Sequence, residues 1–216
     1  MKPADLRGLY EEISNSVTHA IALGLSLGGS AAVIQRAMDT GKQNAVIAAI
    51  IYGVGLNLLF ISSTLYHGFQ IQPYKHYFRV FDHSTIYLMI STSMTPFILP
   101  FAESNGDFIP LFAVWILAIL GVLYKIFFFG RSEVESVASY FMVTAAGFFG
   151  AVPMLDRFPF VGSLWLMGGL VVYTAGVYFY VRDNRPFFHT VWHCFVMGGA
   201  ACHYVAIYAY AIPSAT

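Results

Sequence analysis

The sequence predicts an all-α fold: a bundle of seven transmembrane helices that forms one polytopic membrane domain over residues 1–216. Hydrophobic residues make up 58% of the chain and charged residues only 10%, whereas a soluble domain carries about 25% charged residues. Apolar stretches follow one another from residue 16 to residue 212, with no polar interruption long enough for a separate domain. These two observations indicate a multi-pass protein of the cell membrane, which in a bacterium is the inner membrane.

Charged residues, prolines and glycines divide the chain into seven apolar spans. Each span is close to the roughly 20 residues that cross a hydrocarbon core about 30 Å thick. A helix is expected for each, because it satisfies every backbone polar group within lipid. The breaks between the spans fall, in chain order, at Gly41-Lys42, Pro73, Pro100, Gly130-Arg131, Pro159 and Pro186. The expected helices are 16–36, 44–67, 77–99, 108–129, 137–155, 161–181 and 188–212.

The orientation in the membrane is predicted from Lys and Arg, which are enriched in cytoplasmic loops. With the N-terminus in the cytoplasm and the C-terminus outside, eight basic residues lie on the cytoplasmic side: Lys2, Arg7, Lys75, Arg79, Lys125, Arg131, Arg182 and Arg185. The outer side then carries three: Arg36, Lys42 and Arg157. Because the net charge is zero, we expect no nucleic acid partner. Membrane lipids are the expected partners.

Two histidines open the seventh span. His189 and His193 are four residues apart and therefore lie on one face of a helix, an arrangement that can offer two nitrogens to a metal ion. Polar groups at membrane depth are costly, so they indicate a functional site. In the predicted topology, His67 ends the second helix and Asp82 begins the third on this same cytoplasmic side.

We expect zinc, one ion per chain, because three imidazoles with an open fourth position form a typical catalytic zinc site. The metal ligands are then His67, His189 and His193. Iron is the alternative, with Asp82 replacing one histidine as a ligand. On the zinc interpretation, Asp82 is a candidate catalytic residue that hydrogen-bonds the attacking water, as a general base or as an orienting group. Ser63, one helical turn before His67, is the second candidate and would hold that water or an oxyanion.

The other polar residues of the spans have simpler interpretations. Glu12, Asn15 and His19 form a polar stripe, for which packing and capping roles are expected. His203 lies about 15 Å along the helix from His193, so we expect an interhelical hydrogen bond there. Cys194 and Cys202 are too far apart on one helix to form a disulfide.

The motifs of this chain resemble those of the hemolysin III branch of the progestin and adipoQ receptor family. They are STLYH (63–67), FDHSTIY (81–87), HTVWH (189–193) and EEISNSVTH (11–19). The resemblance implies a seven-helix protein with a cytoplasmic N-terminus and with zinc held by His67, His189 and His193, near Asp82. It also implies kinship with alkaline ceramidases in a wider superfamily of membrane hydrolases.

Three functions are compatible with these features. The first is a zinc-dependent hydrolase of a lipid amide or ester, a ceramidase-like amidohydrolase that acts from the cytoplasmic side. The second is a non-catalytic sensor of lipid homeostasis with structural zinc. The third is a pore-forming hemolysin, which fits less well because the fourth to sixth spans carry almost no ionisable interior residues.

Overall fold

The computed structural model describes residues 3–128, 133–152 and 158–212. Within these residues it contains seven long α-helices and no β-strand, so the predicted all-α class is confirmed. Lys2, Arg131 and Arg157, which enter the charge count, lie outside the described residues. The helices are α1 (Pro3–Asp39), α2 (Gln43–Gly68), α3 (Tyr74–Ile98), α4 (Ile109–Phe128), α5 (Glu133–Ala151), α6 (Phe160–Tyr180) and α7 (Phe188–Ala206).

The first helix begins at Pro3, well before the start at residue 16 that the apolar span suggested. The apolar span marks only the part of the chain suited to lipid. The helix also includes the residues before that span, among them good helix formers such as Leu6, Glu11 and Glu12. One face of α1 is buried at intervals of three and four residues along its length. Its buried residues are Asn15, His19, Ala22, Ser26, Ser30, Val33 and Ala37.

The helices pack so that α3 lies deep in the bundle. α1 packs against α2 and α7, α3 packs against α2, α4 and α5, and α6 packs against α7. The approach of α6 to α7 depends on glycines, which allow helix backbones to come close together. A Cβ atom at Gly169 would overlap the His203 ring, and one at Gly199 would lie 2.7 Å from the ring of Tyr173.

Five segments of the described chain are long and apolar enough to span a membrane: Leu6–Asp39, Gln43–Gly68, Asn105–Phe128, Phe160–Tyr180 and Phe188–Ala211. α3 and α5 fall outside this set. α3 carries many polar residues, and every residue from Ser91 to Leu99 is buried within the protein rather than exposed to lipid. Its hydroxyl groups bond to carbonyls of the same helix, as Thr95 Oγ1 does to Ser91 O at 2.9 Å.

The outer surface of the bundle carries large apolar side chains. Leu25, Phe127, Phe149 and Phe160 are each at least 70% exposed. Exposed apolar surface of this extent is unusual for a soluble monomer and suits contact with lipid. The chain is a multi-pass membrane protein.

Candidate metal centre

Three histidines meet at the end of the bundle where α2 ends and α7 begins, which we call the site end. His67, His189 and His193 each have one ring nitrogen within 4.8 Å of those of the other two. The ring centroids are 5.1 Å apart for His67 and His189, 5.0 Å for His67 and His193, and 4.8 Å for His189 and His193. The structure thus brings together the three residues that the sequence predicted as metal ligands.

The local backbone explains how α7 delivers two of these rings. His189 and His193 occupy successive turns on one face of α7. Phe187, immediately before this helix, has a φ angle of 59°. This left-handed conformation, uncommon for a bulky residue, turns the chain into α7 so that His189 lies in the first turn.

The hydrogen-bond partners of His67 and His193 identify which nitrogen of each ring carries the proton. His67 Nδ1 donates to the carboxylate of Glu12, 2.8 Å from Oε2. His193 Nδ1 donates to the backbone carbonyl of Asn15 at 3.2 Å. Both acceptors lack a proton, so Nδ1 is the protonated nitrogen in each ring and Nε2 keeps the lone pair that a metal needs. In keeping with this, His67 Nε2 is buried without a hydrogen-bond partner among the described residues.

A cavity of about 160 Å³ adjoins the cluster. His189, His193, Asp82 and Ser63 lie in its wall, so the two candidate catalytic residues share a surface with two candidate ligands. Asp82 is not part of the group of ligand atoms within 4.8 Å found in the described chain. The remaining wall is mostly apolar and comes from α3, α5, α6 and α7, with Met89, Ile90, Phe141, Leu170, Val177 and Val196 among its members.

A second cavity, of about 230 Å³, borders the cluster at His67 and His189. Its wall is polar and includes His67, Arg79 and Asp183. His189 lines both cavities, as do His83 and Tyr180. The histidine cluster therefore lies between an apolar chamber within the bundle and a polar chamber at the site end.

The remaining histidines of the spans have different surroundings. His19 is buried and lines the apolar chamber, and neither of its ring nitrogens has a hydrogen-bond partner among the described residues. His203 Nε2 lies 3.2 Å from the carbonyl oxygen of Leu166 on α6, which confirms the predicted interhelical hydrogen bond. Cys194 and Cys202 are free thiols, as expected.

The sequence did not predict the roles of α1. Glu12 and Asn15 contact candidate ligands that are far away in the chain, and the only signal was the spacing of Glu12, Asn15 and His19 on one helical face. Thr190 Oγ1, in turn, donates to Asn15 Oδ1. α1 therefore supplies hydrogen-bond acceptors to two of the three histidines.

The fold and this cluster define a polytopic helical membrane protein with three histidines able to hold a metal ion at one end of the bundle. The chain belongs to the Haemolysin-III related family, whose model matches residues 8–204. This assignment confirms the resemblance found in the sequence motifs.

Similar proteins occur in bacteria and in mammals. Hemolysin-3 of Bacillus cereus is 34% identical over 206 residues, which cover 95% of this chain and 94% of the relative. The hemolysin-3 homolog of Bacillus subtilis (strain 168) is 34% identical over 205 residues, 94% of this chain and 96% of the relative. Monocyte to macrophage differentiation factor of Homo sapiens is 32% identical over 218 residues, 96% of this chain and 87% of the relative.

Proposed function

We propose that this protein is a zinc-dependent membrane hydrolase that cleaves a lipid amide or ester at the three-histidine cluster. The observation that carries the proposal is the position of the cluster between an apolar and a polar chamber. Such a position gives one reactive centre access to an acyl chain on one side and to water on the other. A single zinc ion per chain is the proposed cofactor, and membrane lipids are the proposed partners.

In the proposed topology the chain crosses the membrane seven times, with the N-terminus in the cytoplasm and the C-terminus outside. The beginnings of α1, α3 and α7 and the end of α2 then lie on the cytoplasmic side. The basic residues Lys75, Arg79, Arg182 and Arg185 lie near these helix ends, in agreement with the enrichment of Lys and Arg in cytoplasmic segments. Substrate would be cleaved close to the cytoplasmic boundary.

The three histidines suit zinc in number and chemistry. Zinc binds neutral imidazole nitrogens, and sites with three protein ligands are the catalytic kind. The hydrogen bonds at Nδ1 of His67 and His193 leave Nε2 of both rings as the donor atom. When bound, zinc supplies a Lewis acid that polarises a carbonyl group and promotes the ionisation of water.

Asp82 and Ser63 supply the groups that handle protons and oxygen atoms in this proposal. A carboxylate oxygen of Asp82 accepts a proton from the attacking water and transfers it to the leaving nitrogen or oxygen. The Ser63 hydroxyl, one turn from His67 on α2, donates a hydrogen bond to the carbonyl oxygen as negative charge develops there. Both side chains line the apolar chamber together with His189 and His193.

The apolar chamber offers a path for a lipid. Most of its wall comes from α3, α5, α6 and α7. In the described part of the chain, α5 and α6 do not pack closely against each other, although they are consecutive helices. An acyl chain could therefore enter from the bilayer between them, with its amide or ester group at the cluster.

A lipid-cleavage assay tests the proposal. Purified zinc-loaded protein is incubated in detergent with a panel of ceramides, acyl amides, phospholipids and simple esters, and released fatty acid is measured by mass spectrometry. We expect one class to be cleaved in a reaction that a zinc chelator stops and added zinc restores. If zinc-loaded protein cleaves no member of the panel, the hydrolase proposal is wrong.

A sensor of membrane lipid state is the second candidate function, favoured by the origin of the ligands. His67 comes from α2, whereas His189 and His193 come from α7, and both helices pack against α1. A bound ion would link these two helices to each other directly. Zinc would then stabilise one arrangement of the bundle, and lipid in the apolar chamber would shift that equilibrium.

A pore-forming function has the weakest support. The hydroxyl groups of α3 are used within the helix, since Ser91, Thr92, Ser93 and Thr95 each bond to a carbonyl of α3. A water-filled pore needs polar groups that face a continuous path. The word hemolysin in the names of the Bacillus relatives is the main reason to test for leakage from vesicles.

A further inference from the structure

A closed ring of hydrogen bonds passes through His67, the candidate metal ligand on α2. Glu12 Oε2 accepts from His67 Nδ1 at 2.8 Å, and Glu12 Oε1 accepts from Lys75 Nζ at 3.0 Å. Lys75 Nζ also donates to Gln70 Oε1 at 3.0 Å, and Gln70 Nε2 donates to the backbone carbonyl of His67 at 2.7 Å. The ring thus begins and ends at His67.

The ring joins α1 to the consecutive helices α2 and α3. Glu12 lies on α1, His67 on α2 and Lys75 in the first turn of α3, the helix that also carries Asp82. Both oxygens of the Glu12 carboxylate are used, one by each partner. Lys75 is held further by its position over the ring of Tyr66, with Nζ 4.8 Å from the centroid.

We propose that Glu12 is a positioning residue for the metal ligand His67, and that Lys75 holds Glu12 in place for this role. The Glu12 carboxylate keeps the proton of His67 on Nδ1, so that Nε2 faces His189 and His193 with its lone pair. It also fixes the ring orientation and makes the imidazole a stronger donor, which is the general effect of a carboxylate behind a metal-bound histidine. Glu12 itself is not a ligand in this proposal.

Glu11 provides a matched control for Glu12. The two carboxylates are neighbours on α1 and have similar exposure, 25% for the Glu11 side chain and 28% for that of Glu12. Glu11 Oε1, however, lies 3.6 Å from Nε of Arg7, one turn earlier on the same helix. Glu11→Gln and Glu12→Gln therefore remove the same charge from almost the same place, but only the second change affects the partner of His67.

The test measures metal affinity and needs no catalytic assay. The full-length protein is purified in detergent, stripped of metal and titrated with zinc in competition with a chromophoric chelator. Cobalt(II) titration adds a visible spectrum that reports the ligand geometry. We expect Glu12→Gln to weaken zinc binding about 10- to 100-fold and to alter the cobalt spectrum. Lys75→Met should weaken zinc binding less than Glu12→Gln, and Glu11→Gln should bind as the wild type does.

Thermal unfolding separates positioning from general stability. A purely structural Glu12 would lower the melting temperature of metal-free and zinc-loaded protein equally and leave the zinc affinity unchanged. A positioning Glu12 makes the increase in melting temperature caused by zinc smaller. Wild-type zinc affinity and an unchanged cobalt spectrum in Glu12→Gln would overturn the proposal. Should Glu12→Gln fail to fold, the same readouts on Lys75→Met decide.

This inference depends on the metal site but not on the hydrolase activity. A wild-type protein that binds no zinc would overturn both the metal site and the positioning role. A protein that binds zinc with the expected order of variants, and yet cleaves no lipid, would leave the role of Glu12 standing and remove only the hydrolase.

Discussion

The imidazole of His19 stacks on that of His193, with the ring centroids 3.8 Å apart and the planes inclined by 12°. His19 also makes a T-shaped contact with Phe60, at a centroid distance of 5.3 Å. α1 therefore holds the His193 ring by stacking as well as by a hydrogen bond. Together with the hydrogen bond from His193 to the Asn15 carbonyl, the stack restricts both the tautomer and the plane of His193.

The first prediction concerns the metal. Purified protein should contain about one zinc ion per chain, and His67→Ala, His189→Ala or His193→Ala should each lower the occupancy strongly, because each removes one of only three protein ligands. Protons compete with zinc for imidazole nitrogens, so the occupancy should also decrease below about pH 6. Metal analysis by mass spectrometry measures both effects.

His76 supplies the control for these variants. It is exposed on the first turn of α3 and lies outside the cluster, so His76→Ala should keep the full zinc content. A double variant, His189→Ala with His193→Ala, that still loads a full equivalent of zinc would contradict the proposed site.

The second prediction concerns orientation. A reporter fused at residue 1 should be found in the cytoplasm and one fused at residue 216 on the opposite side, since seven crossings separate the two ends and Lys and Arg favour the cytoplasmic segments. Paired reporters that are active on opposite sides of the membrane measure this. If both reporters are found on the same side, the chain crosses the membrane an even number of times, and the proposed topology of seven crossings is wrong.

Much of the fold could be predicted because it depends on composition and local pattern. Apolar spans indicate membrane helices, and the spacing of His189 and His193 places both on one face of α7. The start of α1 was predicted too late, because the boundary of an apolar span need not be a helix boundary. α3 was the least obvious span, since its central position in the bundle allows polar residues that a lipid-facing helix would not carry.

The candidate site could be predicted only in part, for a physical reason. Histidines are recognisable as ligands, and the alternation of helix direction brings His67 to the same end as His189 and His193. The partners of their Nδ1 atoms depend on three-dimensional packing. Glu12 is 55 residues from His67 and Asn15 acts through its backbone carbonyl, which any residue possesses.

The third prediction concerns the contact between α6 and α7. In Gly169→Ala the new Cβ would overlap the His203 ring and lie 3.0 Å from the carbonyl oxygen of Gly199. Overpacking of this kind lowers the free energy of unfolding by about 1–3 kcal/mol, although alanine is the better helix former. Gly168→Ala is the control, because a Cβ at Gly168 has no atom within 4 Å. Thermal unfolding in detergent should show a lower midpoint for the first variant only. Equal midpoints would mean that the helices separate to admit the methyl group.

The fourth prediction concerns Asp82 and distinguishes the hydrolase from the sensor. Asp82→Asn keeps the shape of the side chain but removes the carboxylate that accepts a proton. In the hydrolase, turnover should therefore decrease by roughly 100-fold or more. Zinc content and folding should be retained, because the three imidazoles are unchanged.

A sensor has no turnover to lose, and the same variant would alter stability or the cellular response instead. The comparison combines the lipid-cleavage assay, metal analysis and a lipid profile of cells that carry each form. If zinc-loaded wild-type protein cleaves no lipid and Asp82→Asn still abolishes the cellular effect, the sensor is the correct function.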